Sequence, residues 1–265
     1  MTAGRVITIT SGKGGVGKTT VTANLSAALA SLGKRVVCID ADIGLRNLDL
    51  ILGVENRIVY DLVDVVEGRC QLQDALIRHR SIQTLCVIPA AQTRDKSAVS
   101  PSQMIRVANE LRPQFDYVLI DSPAGIERGF KNAIAPADEV LIVTNPEVSA
   151  VRDADRIIGL IEASDPRPRA SLVINRVKQD MIRRGEMLSE EDVTDILSIQ
   201  LAGVVPEDES ILIAGNKGVP DLDSRAGQAF RHIARRLVGS SGSPVQLGQQ
   251  GSIFRRIARL FGGQS

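Results

Sequence analysis

Two lysines, at positions 13 and 18, frame the first group of residues in this chain that could do chemistry. Gly12-Lys13-Gly14-Gly15-Val16-Gly17-Lys18-Thr19 fits the pattern G-x-x-x-x-G-K-[ST]. Glycines let a backbone wrap closely around phosphate. Successive N–H groups and the start of the following helix then meet its negative charge. Lys18 is placed to reach the β- and γ-phosphates of a nucleotide, and the Thr19 hydroxyl to bind Mg2+. The bland alternative is a glycine-rich turn with a chance lysine. An apolar run before the loop, a helical pattern after it, and Lys and Thr in register all argue for the phosphate site.

Phosphate chemistry of this kind needs a carboxylate near the metal. Val118-Leu119-Ile120-Asp121 is an apolar run ending in Asp, the form of a Walker B element. Asp121 would act on Mg2+ through a water. Many strands end in Asp, so this element gains its meaning from the loop before it. The base is read as adenine. A guanine site would show Asn-Lys-x-Asp after a strand, and the nearest match, Val177-Lys178-Gln179-Asp180, lacks the leading Asn.

The loop has to sit between a strand and a helix, and the chain supplies them. Short β-rich runs at 5–10, 35–40, 84–88, 117–121, 139–144, 170–175 and 201–205 alternate with helical patterns at 18–32, 102–111, 151–163, 190–199 and 225–238. Most of the strands are near-continuous Val, Ile and Leu, as strands buried on both faces are. The alternation predicts an α/β, P-loop NTPase-type three-layer fold with a mostly parallel central sheet, plus a C-terminal amphipathic helix. Gly33 stands where a helix C-cap belongs. The organisation read from these patterns is an ATPase domain over 1–238, a flexible linker over 239–251 and a tail over 252–265.

Composition narrows the function. With 265 residues, the chain can bury a core of one large domain. The net charge of +1 gives no global pull toward nucleic acid, so any basic attraction is local. Cys38, Cys70 and Cys86 have no C-x-x-C spacing, and His79 and His232 are the only histidines. A disulfide framework or a zinc site does not fit, and a reducing compartment does. Cys38 falls inside a strand pattern and reads as a small core residue. The uncharged run 237–254 is rich in Gly, Ser and Gln and cannot span a membrane.

Lys13 departs from an ordinary P-loop. Lys13-Gly-Gly-Val-Gly-Lys18-Thr19-Thr20 resembles the deviant Walker A motif of the ParA/MinD superfamily of ATPases. The likeness continues through Asp40-Ala-Asp42-Ile-Gly-Leu-Arg-Asn47-Leu-Asp49, Pro89-Ala-Ala-Gln-Thr-Arg-Asp95 and Asp121-Ser-Pro-Ala-Gly125. Thr144-Asn-Pro-Glu-Val148 and Pro206-Glu207-Asp208 extend it over nearly the whole chain. It is most specific to the septum-site branch. The resemblance implies ATP and Mg2+ as cofactors and slow, partner-stimulated hydrolysis. It implies that Lys13 reaches the partner's phosphates in an ATP-bound homodimer. Asp42 would position the attacking water and serve the metal with Thr19 and Asp121. Asn47 would lie in the same switch, and 121–125 would form a second. Asn175, Pro206, Glu207 and Asp208 resemble the contacts on the adenine side. The nucleotide set is thus Gly12, Lys13, Gly14, Gly15, Val16, Gly17, Lys18, Thr19 and Thr20 with those four. The implied partners are a division-inhibitor protein (MinC-like), an activator or polar landmark protein, and anionic lipid, with no nucleic acid. The helix at 151–163 has an apolar face of Val151, Ala154, Ile157, Ile158 and Ile161. Its other side, with Arg152, Asp153, Asp155 and Arg156, is either a solvated face or a partner surface.

The tail has its own pattern. On a helix, Ile253, Phe254, Ile257, Leu260 and Phe261 share one face, and Arg255, Arg256 and Arg259 gather on another. Such a helix lies in a membrane interface with its cations toward anionic lipid. The expected location is the cytoplasm and the cytoplasmic face of the inner membrane. The rivals are a DNA-partitioning ATPase and a flagellar-placement ATPase of the same superfamily. An electron-transfer protein of that superfamily would need cluster-binding cysteines, and no substrate-side signature of a metabolic kinase is present.

Overall fold

The computed structural model describes residues 3–94 and 98–239. From the N-terminus the elements are β1 (Arg5–Thr10), α1 (Lys18–Ser31), β2 (Val36–Asp40), α2 (Leu48–Ile51), α3 (Leu62–Val66), β3 (Ile77–Arg78), β4 (Leu85–Ile88) and α4 (Pro101–Leu111). The second half runs β5 (Tyr117–Asp121), α5 (Arg128–Ile134), β6 (Glu139–Thr144), α6 (Val148–Glu162), β7 (Arg169–Val177), α7 (Gln179–Arg183), α8 (Glu190–Leu197), β8 (Leu201–Pro206), α9 (Glu209–Asn216) and α10 (Arg225–Gly239).

One sheet in the order β3-β4-β2-β5-β1-β6-β7-β8 organises the chain, parallel throughout except for the β3–β4 pair. Its inner strands are buried on both faces, which is why they read as continuous apolar runs. Side chains alternate across the sheet. Ile7, Ile9, Leu141 and Val143 pack on the face covered by α1 and α10. Val6, Val37 and Val118 pack on the opposite face under α3 and α4, and Val140 and Ile142 on that face under α6 and α8. The result is the three-layer α/β fold that the alternation predicts. Cys38 is fully buried in β2, and Val151, Ala154, Ile157, Ile158 and Ile161 of α6 all face the core.

Helix ends follow local chemistry. After α1, Gly33 takes φ +77 and donates its N–H to the Ala30 carbonyl, a turn only glycine adopts without strain. Ser100 and Ser189 close capping boxes with Gln103 and Asp192 at the starts of α4 and α8. The predicted boundaries differ in places. Glu147, with extended dihedrals, starts α6 three residues early. β3 and the short helices α2, α3, α5, α7 and α9 were not predicted. Each is eight residues or shorter and owes its shape to packing, because isolated helices of that length are unstable. The last helix runs to Gly239, one residue into the predicted linker. The rest of that linker and the tail lie outside the described residues. Among those described, no helix is long and apolar enough to cross a membrane.

Leu29 lies fully buried on α1, in the layer shared with α10. Leu29→Ala is expected to cost about 2–5 kcal/mol, since the lost contacts leave a cavity. Denaturant unfolding should show a lower midpoint, and an unchanged midpoint would contradict the packing described.

Candidate functional site: a nucleotide cleft at the strand ends

The parallel order β2-β5-β1 brings three chemically active strand ends side by side. Asp40 closes β2 and Asp121 closes β5 directly beside it, as register partners. β1 leads into the glycine loop. Gly12 sits so close to α6 that a Cβ would lie 2.2 Å from the Asp153 carbonyl oxygen. Gly17, at φ +94, makes the last turn before α1 and faces Asn175 so tightly that a Cβ would lie 2.5 Å from its Nδ2. That Nδ2 donates to the Val16 carbonyl at 2.8 Å. The loop is therefore fastened from below at Gly12 and from the side at Val16. The first turn of α1 carries no acidic residue, so its N–H groups and dipole are left to an anion.

Behind the loop lies a buried charge cluster. The Lys18 side chain is nearly buried, which pushes its ammonium below its ordinary value, while Asp121 and Asp42 hold it charged. Burial raises the Asp121 carboxyl above the usual carboxylate range, and Thr19, Lys18 and Thr22 oppose that rise. The Thr22 hydroxyl donates to Asp121 Oδ1 at 3.2 Å. Asp40 is raised as well, by burial first and then by neighbouring Asp121. Asp40 also organises the loop that follows. Its Oδ1 accepts from the Asp42 N–H at 3.0 Å, and its Oδ2 accepts from the N–H groups of Asn47 and Leu48 at 3.2 Å. Arg46, at φ +45, is held by an ion pair to buried Asp49 at 2.9 Å.

A cavity of about 1030 Å³ opens above this cluster. Gly14, Gly15, Gly17, Lys18, Thr19, Thr20, Asp42, Asn47, Asn175, Pro206, Glu207 and Asp208 all line it. Four of the predicted residues do not. Gly12 and Val16 support the loop from behind, and Asp121 lies beneath it. Lys13 turns away from the loop, with Nζ 3.2 Å from Glu147 Oε2 and 3.0 Å from Ser149 Oγ. Asp208 faces the cavity, but its carboxylate caps α9 through Ser210 and also accepts from the Ala226 N–H. The predicted membrane residues, Ile253 to Phe261, lie outside the described residues.

Two parts of the site escaped the sequence. One is Asp40 as the anchor of the 42–48 loop, whose signal was an Asp at a strand end followed by a second two residues on. The other is the far wall made by α2 and α9. Gly53 and Gly218 meet there so closely that a Cβ on either would lie 2.5 Å from the other's backbone. Leu50, Ile51, Ile211 and Leu212 give this wall an apolar surface.

Thr19 and Asp121 fit the small oxygen donor set that Mg2+ takes when phosphates supply the rest of its shell. Among the described residues no group of three or more His, Cys, Asp or Glu side chains forms a self-sufficient metal site. The donors thus suit a metal that arrives with a nucleotide.

A glycine loop between a central parallel strand and its helix, with a Walker B carboxylate on the adjacent strand, defines a P-loop nucleotide-binding protein. Comparison with known proteins gives the branch. The family model described as an AAA domain matches residues 4–174. The septum site-determining protein MinD of Synechocystis is 54% identical over 239 residues, covering 89% of this chain and 90% of that protein. The MinC:MinD cell division protein complex of Aquifex aeolicus superposes with TM-score 0.82 at 48% identity, over 92% of this chain and 100% of that one. MinD of Pyrococcus horikoshii, complexed with Mg-ADP, does so with TM-score 0.79 at 32% identity, over 88% and 95%. The chain belongs to the MinD family of septum site-determining cell-division ATPases.

Two tests address the site. Gly17→Ala forces a side chain into a left-handed turn and against Asn175, so ATP affinity should fall roughly ten- to a hundredfold. Titration with a fluorescent ATP analogue checks this, and undiminished affinity would refute it. The second concerns pH. Asp40 and Asp121 titrate above the ordinary 3.8 when folded, so the folded chain keeps protons that the unfolded chain has released. The nucleotide-free protein should therefore lose stability as pH rises from about 4 through the raised values. Asp121→Asn should flatten that slope and raise the melting temperature at about pH 8, while Mg2+-dependent hydrolysis disappears. A variant less stable than the parent at that pH would show that the charge is not the source of the strain.

Proposed function

We propose that this chain is an ATP-driven dimerising switch, which settles on the inner membrane through its tail and recruits a division inhibitor to place the septum. The observation that carries this reading is Lys13. Its ammonium rests on Glu147 and Ser149 and does not enter its own phosphate cradle. A loop lysine so placed is available to a second copy, where it would meet the partner's phosphates as a cation in trans. Lys18 and the loop N–H groups hold the β- and γ-phosphates. Thr19 and, through a water, Asp121 would hold Mg2+, which supplies charge neutralisation on those oxygens when bound. Asp42 positions the attacking water. Asn175 and the 206–208 segment face the adenine. Hydrolysis removes the γ-phosphate that both subunits share, and the pair separates.

Dimer formation gives the tail its control. Burying Ile253, Phe254, Ile257, Leu260 and Phe261 completely would gain on the order of 7–15 kcal/mol. Partial burial gains less, and ordering each residue costs about 1–2 kcal/mol. One tail therefore binds marginally, and two linked tails gain roughly 10²–10⁴ in avidity. The partner assignment draws on the Aquifex MinC:MinD complex. The activating partner would act on the same ATP-bound dimer.

Sedimentation with anionic vesicles tests the switch. ATP, with Mg2+, should pellet the full chain, and ADP should not. Lys13→Ala should lose both dimer and pelleting while still binding nucleotide, and a chain ending at Ser252 should dimerise without pelleting. A monomeric variant that binds vesicles as tightly as the dimer would sink the mechanism.

A further inference from the structure

α10 is the most basic element among the described residues. It carries Arg225, Arg231, Arg235 and Arg236 and no Asp or Glu. Ala226, Phe230, Ile233, Ala234 and Leu237 are buried toward α1 and β8. Arg225, His232, Arg235 and Arg236 are exposed on the other side. The neighbouring helix α1 brings no carboxylate either, since its single charged side chain is Lys18 at the nucleotide end.

The C-terminal end of α10 is pinned to one edge of the sheet. The Leu237 carbonyl accepts from Arg5 Nη1 at 2.6 Å and from the Tyr117 hydroxyl at 3.4 Å, at the starts of β1 and β5. Lys34 reaches the same edge, because it lies two residues before Val36, the register partner of Tyr117. The carboxylates of this region are engaged. Asp116 pairs with Arg35 at 2.9 Å, Glu139 with Arg5 and Arg169, and Asp223 with Arg231 at 3.2 Å. Part of the basic charge is structural, since cations near a helix C-terminus complement its dipole and Arg236 donates to the Leu201 and Ala202 carbonyls. Arg235 and Lys34 make no such bond among the described contacts.

We propose that the exposed basic face of α10, with Arg235 on it and Lys34 at the same edge of the sheet, is a second contact with anionic lipid. It turns the strand starts toward the membrane and leaves the nucleotide cleft, at the strand ends, facing away. Charge complementarity and chain connectivity both favour lipid. After Gly239 the chain continues for 26 residues and carries the apolar and arginine residues of 253–261. The intervening residues span at most about 3.6 Å each, so a tail at the lipid surface keeps the end of α10 within roughly 45 Å of it. The proposal rests on the membrane reading of the tail, and the test separates the two.

The full chain, with ATP and Mg2+, is sedimented with phosphatidylcholine vesicles with or without phosphatidylglycerol, at low and raised salt. Each basic residue near an anionic surface gives about a fivefold gain, so Arg231→Gln with Arg235→Gln should bind phosphatidylglycerol vesicles roughly ten- to twenty-fivefold more weakly. Lys34→Gln with Arg235→Gln should do the same without touching the Asp223 pair. Arg235→Lys should bind like the parent. Basal ATPase activity should be unchanged in all three, and the difference should shrink as salt rises. If both double variants bind as tightly as the parent while a chain ending at Ser252 does not bind, the α10 contact is overturned and the tail reading survives. If truncation has no effect and the double variants still bind weakly, the tail reading fails and the α10 contact stands. Loss of duplex DNA binding in the double variants, with lipid binding intact, would overturn the proposal in favour of a nucleic-acid surface.

Discussion

Two carboxylates side by side at the ends of neighbouring parallel strands are the constraint around which this molecule is arranged. Asp40 and Asp121 are taken out of water together, and burial drives both toward their neutral forms. What keeps such a pair tolerable is the set of donors brought to it. Lys18, Thr19 and Thr22 come from α1 to Asp121, and three backbone N–H groups come from the 42–48 loop to Asp40. Lys18, Thr19, Asp42 and Asn47 also line the nucleotide cleft, and Thr22 and Leu48 are buried behind it. The strain of the pair and the geometry of the cleft are thus one feature, at the cost of stability that functional sites commonly carry.

The same arrangement links distant parts of the site. The 42–48 loop is tied to Asp40, the register partner of Asp121, whose charge bears on Lys18. Gly125 donates to the Ser11 carbonyl at 3.1 Å, so the segment after β5 is fastened to the loop before the phosphates. Hydrogen bonds thus tie both segments to the strand ends beneath the glycine loop. On the opposite side of the loop, Asn175 joins β7 to it through Val16. Base and phosphates would meet a single connected frame.

Charge placement divides the molecule into two ends. The strand ends hold the anion-binding loop and the carboxylates. The strand starts hold the C-termini of α1 and α10 and a set of arginines, most with partners. A net charge of +1 hides this polarity, because it sums over both ends.

The sequence by itself determined the phosphate loop, the Walker B strand, the parallel sheet and the apolar face of α6. Each is written in local spacing: glycines where φ is positive, a lysine at a helix start, valines and isoleucines where a strand is covered twice. It did not determine the short elements, which are too brief to hold themselves and take shape only against neighbours. Nor did it determine that Asp40 anchors a loop, that Asp208 spends its carboxylate on caps, or that Gly53 and Gly218 touch. Those depend on strand order and on contacts between residues far apart in the chain. Residues 53 and 218, 40 and 121, and 16 and 175 meet because the sheet places them together, and no local pattern encodes such a pairing.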